Sequence, residues 1–328
     1  MAKVGELFAD ALRPRWVAGL NKVTSPNVEG VEAWLTSGNF SWLSTQAGVV
    51  TLDISSATDS LAEAMASEIA RFSCAMYESL LDAGPGNHSD RALGWALVRY
   101  YYATFYAAHA LLRISGKSVT MMSAQTASLL NTVGGQYLGI QPGVSSGLHA
   151  VEIDSTNVSR VLISRIGSSS GGSHEEMWRH FLQLVLDLES QLILTQGQSQ
   201  DVLDAVEILT ELRRQLCRRG KHNGSWLSSI RNDLNYRQAH GVWYPYKVND
   251  KSATALYARM QRWIPKAADG FEIGSVKDDL RCFVDSCNVM SRLLTAALSD
   301  LSGRATRARS SFVDRKPFKL LRLRNVAI

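Results

Sequence analysis

Arg231, Asn232, Asp233, Asn235, Tyr236, Arg237, Gln238 and His240 fall within ten positions, and Trp243, Tyr244, Pro245 and Tyr246 follow at once. On a helix, Arg231, Asn235 and Gln238 share a face, because residues three and four apart are neighbours. Asn232 and Tyr236 lie on the adjoining strip. Guanidinium, amide and phenol groups gathered in this way make poor core material and good ligands for phosphates or bases. The same residues also admit a purely structural arrangement. Arg231, Asp233 and Arg237 can form an ion-pair network, Asn232 and Asn235 can cap, and Trp243 to Tyr246 can dock a loop.

Two other fragments imitate chemical motifs and fail on spacing. Gly116-Lys117-Ser118 resembles the end of a phosphate-binding loop, but position 111, where the motif needs glycine, is Leu111, and a helix precedes it rather than a strand. His174-Glu175 with His180 resembles a zinc helix, but the second histidine comes six residues on rather than four, off the first one's face. Of the four cysteines, only Cys282 and Cys287 are close in sequence, in no zinc spacing, so reduced thiols, a cytoplasmic setting and no metal or other cofactor are expected. No window approaches the roughly 18 apolar residues of a membrane span. The opening MAKVGELFADALRPRW carries acidic residues and no continuous apolar core, unlike a secretory signal.

The elements that must position the strip read as mostly helical. Ser60 with Glu63 has the pattern of a capping box, and Leu61, Met65, Ile69, Phe72, Met76 and Leu80 follow at helical spacing up to the AGPGN break. A second helix is expected from near Ser89-Asp90, with a core stripe of Trp95, Val98, Tyr102, Phe105, His109 and Leu112, stopped by Gly116. A short connection between two long helices makes them antiparallel. TMMSAQTASLLNTV reads as a shorter helix ended by Gly134-Gly135. Helices are also expected after Ser173, over DVLDAVEILTELRRQLCRR, over NDKSATALYARMQRWIP up to Pro265, and over VKDDLRCFVDSCNVMSRLLTAALSDL. Strand character is confined to AGVVTLDIS and to HAVEID with SRVLISRI, which can pair as a small hairpin or form a long functional loop. The expected fold is therefore all-α, a helical bundle over 56–303. A mixed, partly β segment at 1–55 packs on it or serves as a partner-binding arm, and a basic tail covers 304–328.

Eight basic residues against Asp314 put +7 on the chain from Arg304 onward, so the preceding residues carry about −2 of the total of +5. Basicity is thus a property of the tail. Arg304, Arg307, Arg309, Lys316 and Lys319 are candidate contacts to an RNA backbone, and KPFKLLRLR can pair as a terminal strand or bind a partner.

Arg99-Tyr-Tyr-Tyr-Ala-Thr-Phe-Tyr-Ala-Ala-His-Ala-Leu-Leu-Arg113 with the following Ser-Gly resembles the tyrosine- and alanine-rich helix of HEPN domains. The Arg231-Asn232 strip is similar to the HEPN ribonuclease motif, in which an arginine and a polar residue precede a histidine by a few positions. The histidine position is Tyr236 here, and His240 is the next histidine along. The resemblance covers roughly residues 56–300 and implies a metal-independent endoribonuclease, in which a 2′-hydroxyl attacks the adjacent phosphate and leaves a cyclic phosphate end. Arg231 would stabilise the phosphate and Asn232 would orient it. Tyr236 or His240 would handle protons, and Arg237, Trp243 and Tyr244 would contact RNA.

The resemblance further implies RNA as partner, tRNA or another single-stranded or structured RNA. It also implies a homodimer, a prokaryotic defence or toxin–antitoxin setting, and a protein partner or antitoxin. A non-catalytic subunit that binds RNA or a larger effector complex is the alternative. A nucleotide-binding module with a cleft near Arg99 and Arg231 is a third reading.

Overall fold

The structure is a computed structural model that describes residues 2–27, 29–83, 92–167, 172–195, 197, 199–264, 273, 277–306 and 309–327. Helices α1 (Ala2–Leu12) and α2 (Val31–Ser37) precede strands β1 (Ser41–Gln46) and β2 (Val49–Asp53). Helices α3 (Thr58–Leu81) and α4 (Leu93–Ile114) lead to β3 (Lys117–Met122), α5 (Ala124–Leu138) and the pair β4 (Gly147–Asp154) and β5 (Asn157–Arg165). Next come α6 (Ser173–Thr195), α7 (Gln200–Leu216), α8 (Trp226–Asn235), α9 (Asp250–Met260) and α10 (Asp279–Gly303). The short α11 (Phe312–Arg315) and α12 (Pro317–Leu323) complete the order.

The all-α expectation is corrected: the fold is mixed, because one antiparallel sheet of five strands runs in the order β1-β2-β5-β4-β3. The strands are short, and β2 and β3 each find a partner far away in sequence. β2 pairs with β5, Leu52 opposite Val161, and β3 pairs with β4, Val119 opposite Ala150. Local periodicity does not report such pairings. The β1–β2 turn has positive φ at both central residues, Ala47 and Gly48, which matches the twist of the strands it joins. The expected hairpin of HAVEID and SRVLISRI forms β4 and β5, with the Asp154 carboxylate accepting from the Thr156 amide at 2.8 Å in the turn. Val50, Leu52, Val151, Val161 and Ile163 join the helices in one apolar core.

Helices α3 and α4 are antiparallel, as three contacts along them show. Arg113 pairs with Glu68, His109 stacks on Phe72 at 4.8 Å, and Arg99 donates to the Asp82 carbonyl at 2.7 Å. Ser60 does not cap α3, which begins two residues earlier. Its hydroxyl instead accepts the Trp34 indole N–H at 3.0 Å, seating α2 on α3. The expected second start, Ser89-Asp90, lies outside the described residues, as does Pro265. Thr120 to Met122 belong to β3 rather than to a helix. Ser123 then caps α5 by accepting the Thr126 amide at 3.1 Å, and α5 runs through Gly134-Gly135 to Leu138. Gly134 is tolerated there because its lack of a Cβ admits Trp42 and Pro142, which would stand 2.7 and 2.6 Å from one.

Residues 1–55 supply α1, α2 and two strands of the sheet, and α1 packs on α6, α7 and α10. The tail is helical rather than a terminal strand. Phe312, Val313, Phe318 and Leu321 are buried, α12 lies on α3, and Arg315, Lys316, Lys319, Arg322 and Arg324 remain exposed.

Candidate functional site

Helix α8 buries Trp226, Leu227, Ile230 and Leu234, one apolar face at helical spacing, against α4 and α7. Gly224, in the left-handed region at φ +78°, lets the chain turn into α8 while its Cα passes close to the Trp178 carbonyl and the Leu182 side chain. The apolar face tips the next residue, Arg231, inward, and it is only 8% exposed.

The Arg231 guanidinium carbon stands 5.3 Å above the Tyr101 ring of α4 and 5.9 Å from the Tyr236 ring. Nη1 reaches the Tyr236 hydroxyl at 3.5 Å, at the limit of a hydrogen bond. Nε is buried without a hydrogen-bond partner, and among the described residues no carboxylate pairs with this arginine. The expected ion-pair network is therefore reduced to Arg237 with Asp233 at 2.9 Å, on the surface.

The other predicted residues separate into two groups. Tyr236 caps the end of α8, its amide donating to the Asn232 carbonyl at 2.9 Å, and its ring is 72% exposed beside Arg231. The Asn232 side chain is exposed on the adjoining strip. His240 sits in a 3-10 turn with its own φ at +67°, its Nε2 buried and unpartnered, and no hydrogen bond or ring contact joins it to Arg231 among the described residues. Trp243 is a docking residue. Its indole N–H donates to the Leu234 carbonyl at 2.7 Å, its ring meets Trp95 edge-on at 5.4 Å, and Gly94 leaves the room for it. Tyr244 is 83% exposed and meets the Tyr246 ring edge-on at 5.8 Å. Trp95, expected in the core stripe of α4, is 63% exposed instead.

Arg304 pairs with Asp300 at 2.8 Å, and Arg309, Lys316 and Lys319 are exposed, while Arg307 lies outside the described residues. α12 rests on α3 and α8 on α4, so the α3–α4 pair stands between the basic tail and Arg231.

Linear spacing conceals the residue that completes the site. His174, at the start of α6, shares a 2.8 Å hydrogen bond between its Nδ1 and the Tyr101 hydroxyl, the same tyrosine over which Arg231 lies. Its ring stacks on Phe105 at 4.2 Å. The Trp178 indole fixes Tyr101 from below, donating to its oxygen at 3.2 Å. Burial, with Arg231 nearby, pushes the His174 pKa down to about 4, and burial raises that of the Tyr101 phenol. His180, further along α6, is pushed down to about 4 by burial first and then by Lys117.

These two histidines make stability acid-sensitive. Their folded pKa values lie below the ordinary 6.5, so between about pH 6.5 and 4 the unfolded chain binds more protons than the folded one. Stability is expected to fall as the pH falls through that window and to be fully present above it. Urea midpoints taken from pH 7.5 to 4.5 will show a flatter profile in His174→Gln/His180→Gln than in the parent. Parallel profiles would refute the assignment.

Two clefts, of about 490 and 600 Å³, open beside β4 and α6 and beside α2 and α3, and neither is lined by Arg99 or Arg231. Among the described residues, no group of three or more His, Cys, Asp or Glu side chains is placed to hold a metal ion, and no helix is long and apolar enough to cross a membrane. No family model, curated protein or solved structure matches the chain.

Proposed function

We propose that this chain is a HEPN-like, RNA-directed protein of the bacterial or archaeal cytoplasm, a metal-independent endoribonuclease of a defence or toxin–antitoxin type. The observation that carries the reading is Arg231, a buried cation with no carboxylate partner among the described residues. A guanidinium held out of water is costly unless an anion joins it. A phosphodiester is the anion whose paired oxygens match its fork of donors. The exposed Tyr236 ring flanks the position and offers a face to an unstacked base, Tyr244 is a second exposed ring in the loop that follows, and Asn232 and Arg237 offer polar contacts on α8.

The expected products are a 2′,3′-cyclic phosphate and a free 5′-hydroxyl. Incubation with tRNA and total RNA in EDTA tests this directly. Wild-type protein should cleave, and Arg231→Ala should lose cleavage while keeping its urea midpoint. The reading fails if Arg231→Ala cleaves as fast as the parent. A homodimer that brings two such strips to one cleft, and a protein partner that controls it, belong to the same reading. Light scattering measures the first.

A non-catalytic RNA-binding subunit is the second reading, favoured by the exposed cations of residues 315–324, remote from Arg231. It expects intact RNA retained by the protein, with an affinity that drops steeply as salt is raised.

A further inference from the structure

The imidazole missing from position 236 is supplied by another helix. We infer that His174, presented by α6 across Tyr101 to the Arg231 guanidinium, is the proton acceptor for the attacking 2′-hydroxyl. The inference rests on the RNA-cleavage reading.

Geometry places the ring and leaves the correct edge free. Phe105 stacks on its face, and Tyr101 engages Nδ1. Nε2 makes no hydrogen bond among the described residues, and the side chain is half-exposed. The hydroxyl of Tyr101 accepts from the Trp178 indole at 3.2 Å, and the proposed role requires that it also accept from His174 Nδ1–H, its own proton turning away from the imidazole. In that tautomer Nε2 carries a lone pair, as a general base requires.

The charged and titratable groups around the ring are few. Arg231 faces it from α8, and Tyr101 and Tyr102 face it from α4, with His109 beyond Phe105. Glu175 and Glu176 follow it on α6, and Glu176 is taken by Arg179. Burial and Arg231 keep the imidazole neutral at neutral pH. A phosphodiester bound to Arg231 offsets that positive charge and raises the basicity of Nε2 where the proton must be taken.

The step balances as written. The O2′ proton passes to Nε2, O2′ bonds to phosphorus, and the bond from phosphorus to O5′ breaks. O5′ takes a proton from the Tyr236 phenol, whose hydroxyl Arg231 Nη1 reaches at 3.5 Å. Water then removes the proton from the imidazolium and returns one to the phenolate.

The test follows single-turnover cleavage of an oligonucleotide with one ribonucleotide, using wild type, Arg231→Ala, His174→Ala, His174→Gln and Tyr236→Phe. Both His174 variants are expected to lose about 100-fold in rate. His174→Gln keeps an N–H donor for the Tyr101 oxygen and should hold the parent urea midpoint, and free imidazole should restore His174→Ala. On a substrate whose leaving O5′ is replaced by sulfur, which departs without a proton, Tyr236→Phe should recover and His174→Gln should stay slow. Recovery of His174→Gln on the sulfur substrate would make the histidine the acid and overturn the assignment. So would parent-like cleavage by the His174 variants while Arg231→Ala is dead, or a loss that imidazole does not restore. Cleavage unaffected by Arg231→Ala, or none by the wild type, overturns the underlying reading as well.

Discussion

Arg113→Ala is expected to destabilise the protein by about 3–5 kcal/mol, as removal of one partner from a buried ion pair does. Arg113 is 2% exposed at the end of α4, and its Nε donates to the Glu68 carboxylate of α3. Its Nη1 also reaches His109 Nδ1 at 3.0 Å, and its guanidinium lies 4.5 Å above Phe72. Truncation would strand Glu68, leaving for its oxygens the Val31 amide at 3.1 Å, the Ser118 hydroxyl at 3.5 Å and the exposed Arg71 guanidinium no nearer than 4.0 Å. The stranded carboxylate, more than the lost attraction, sets the size of the effect. Glu68→Leu/Arg113→Met should therefore recover most of the loss and fall short by about 1 kcal/mol for the Val31 amide left without an acceptor. Urea denaturation of the three proteins measures both quantities. A single-variant loss under about 1 kcal/mol would mean that the pair is solvated and would remove this explanation.

Trp178→Ala carries the second large effect, also about 3–5 kcal/mol, because a fully buried indole leaves a cavity that its neighbours cannot fill. Trp178 packs between Phe181 at 5.9 Å and Phe105 at 6.2 Å, and Gly224 closes on its carbonyl. Trp178→Phe keeps most of the volume and removes the donor to Tyr101, so it should lose only about 1–2 kcal/mol. The two variants separate packing from positioning. Either should disturb Tyr101, and with it the mutual placement of His174 and Arg231, before global unfolding begins. The urea midpoint reports the first effect, and the histidine ring signals in NMR report the second. Unchanged signals in Trp178→Phe would show that Tyr101 holds its place without the indole.

How far the sequence reveals these features depends on the range of the interaction. The α3 and α4 stripes are legible because Leu61, Met65, Ile69, Val98 and Leu112 repeat at the period of the helix itself. Their antiparallel packing follows from length and order. β3 is not legible: Thr120 to Met122 adjoin the Ser123 cap and look helical until β4, some thirty residues on, supplies the partner. Trp95 fits the α4 stripe by spacing, yet it lies in the first turn, where Trp243 covers only one edge of it.

The strip around Arg231 is legible as an unusual density of polar and aromatic groups, and the structure does bring Arg231 and Tyr236 together. Trp243 is spent on holding the loop. Sequence spacing relates His174 only to His180 on its own helix, whereas the groups it meets, Tyr101 and Arg231, come from two other helices. The available signal was weak: a histidine opening a helix behind a glycine- and serine-rich stretch, in a chain otherwise lacking the expected imidazole.

The seat of α1 has a consequence for biosynthesis. Phe8, Ala11 and Leu12 are buried in a helix that packs on α10, and Arg13 locks the arrangement by donating to Asp300 at 3.0 Å. Helix α1 thus finds its α10 neighbour only when residue 300 has been made. At about 5–20 residues per second the wait is roughly 15–60 s. For that interval the apolar face of α1 lacks its α10 neighbour and is a natural landing place for a chaperone. The Arg231 strip likewise reaches its final setting only after α10 has been made, because α4, which carries Tyr101, packs on α10 as well.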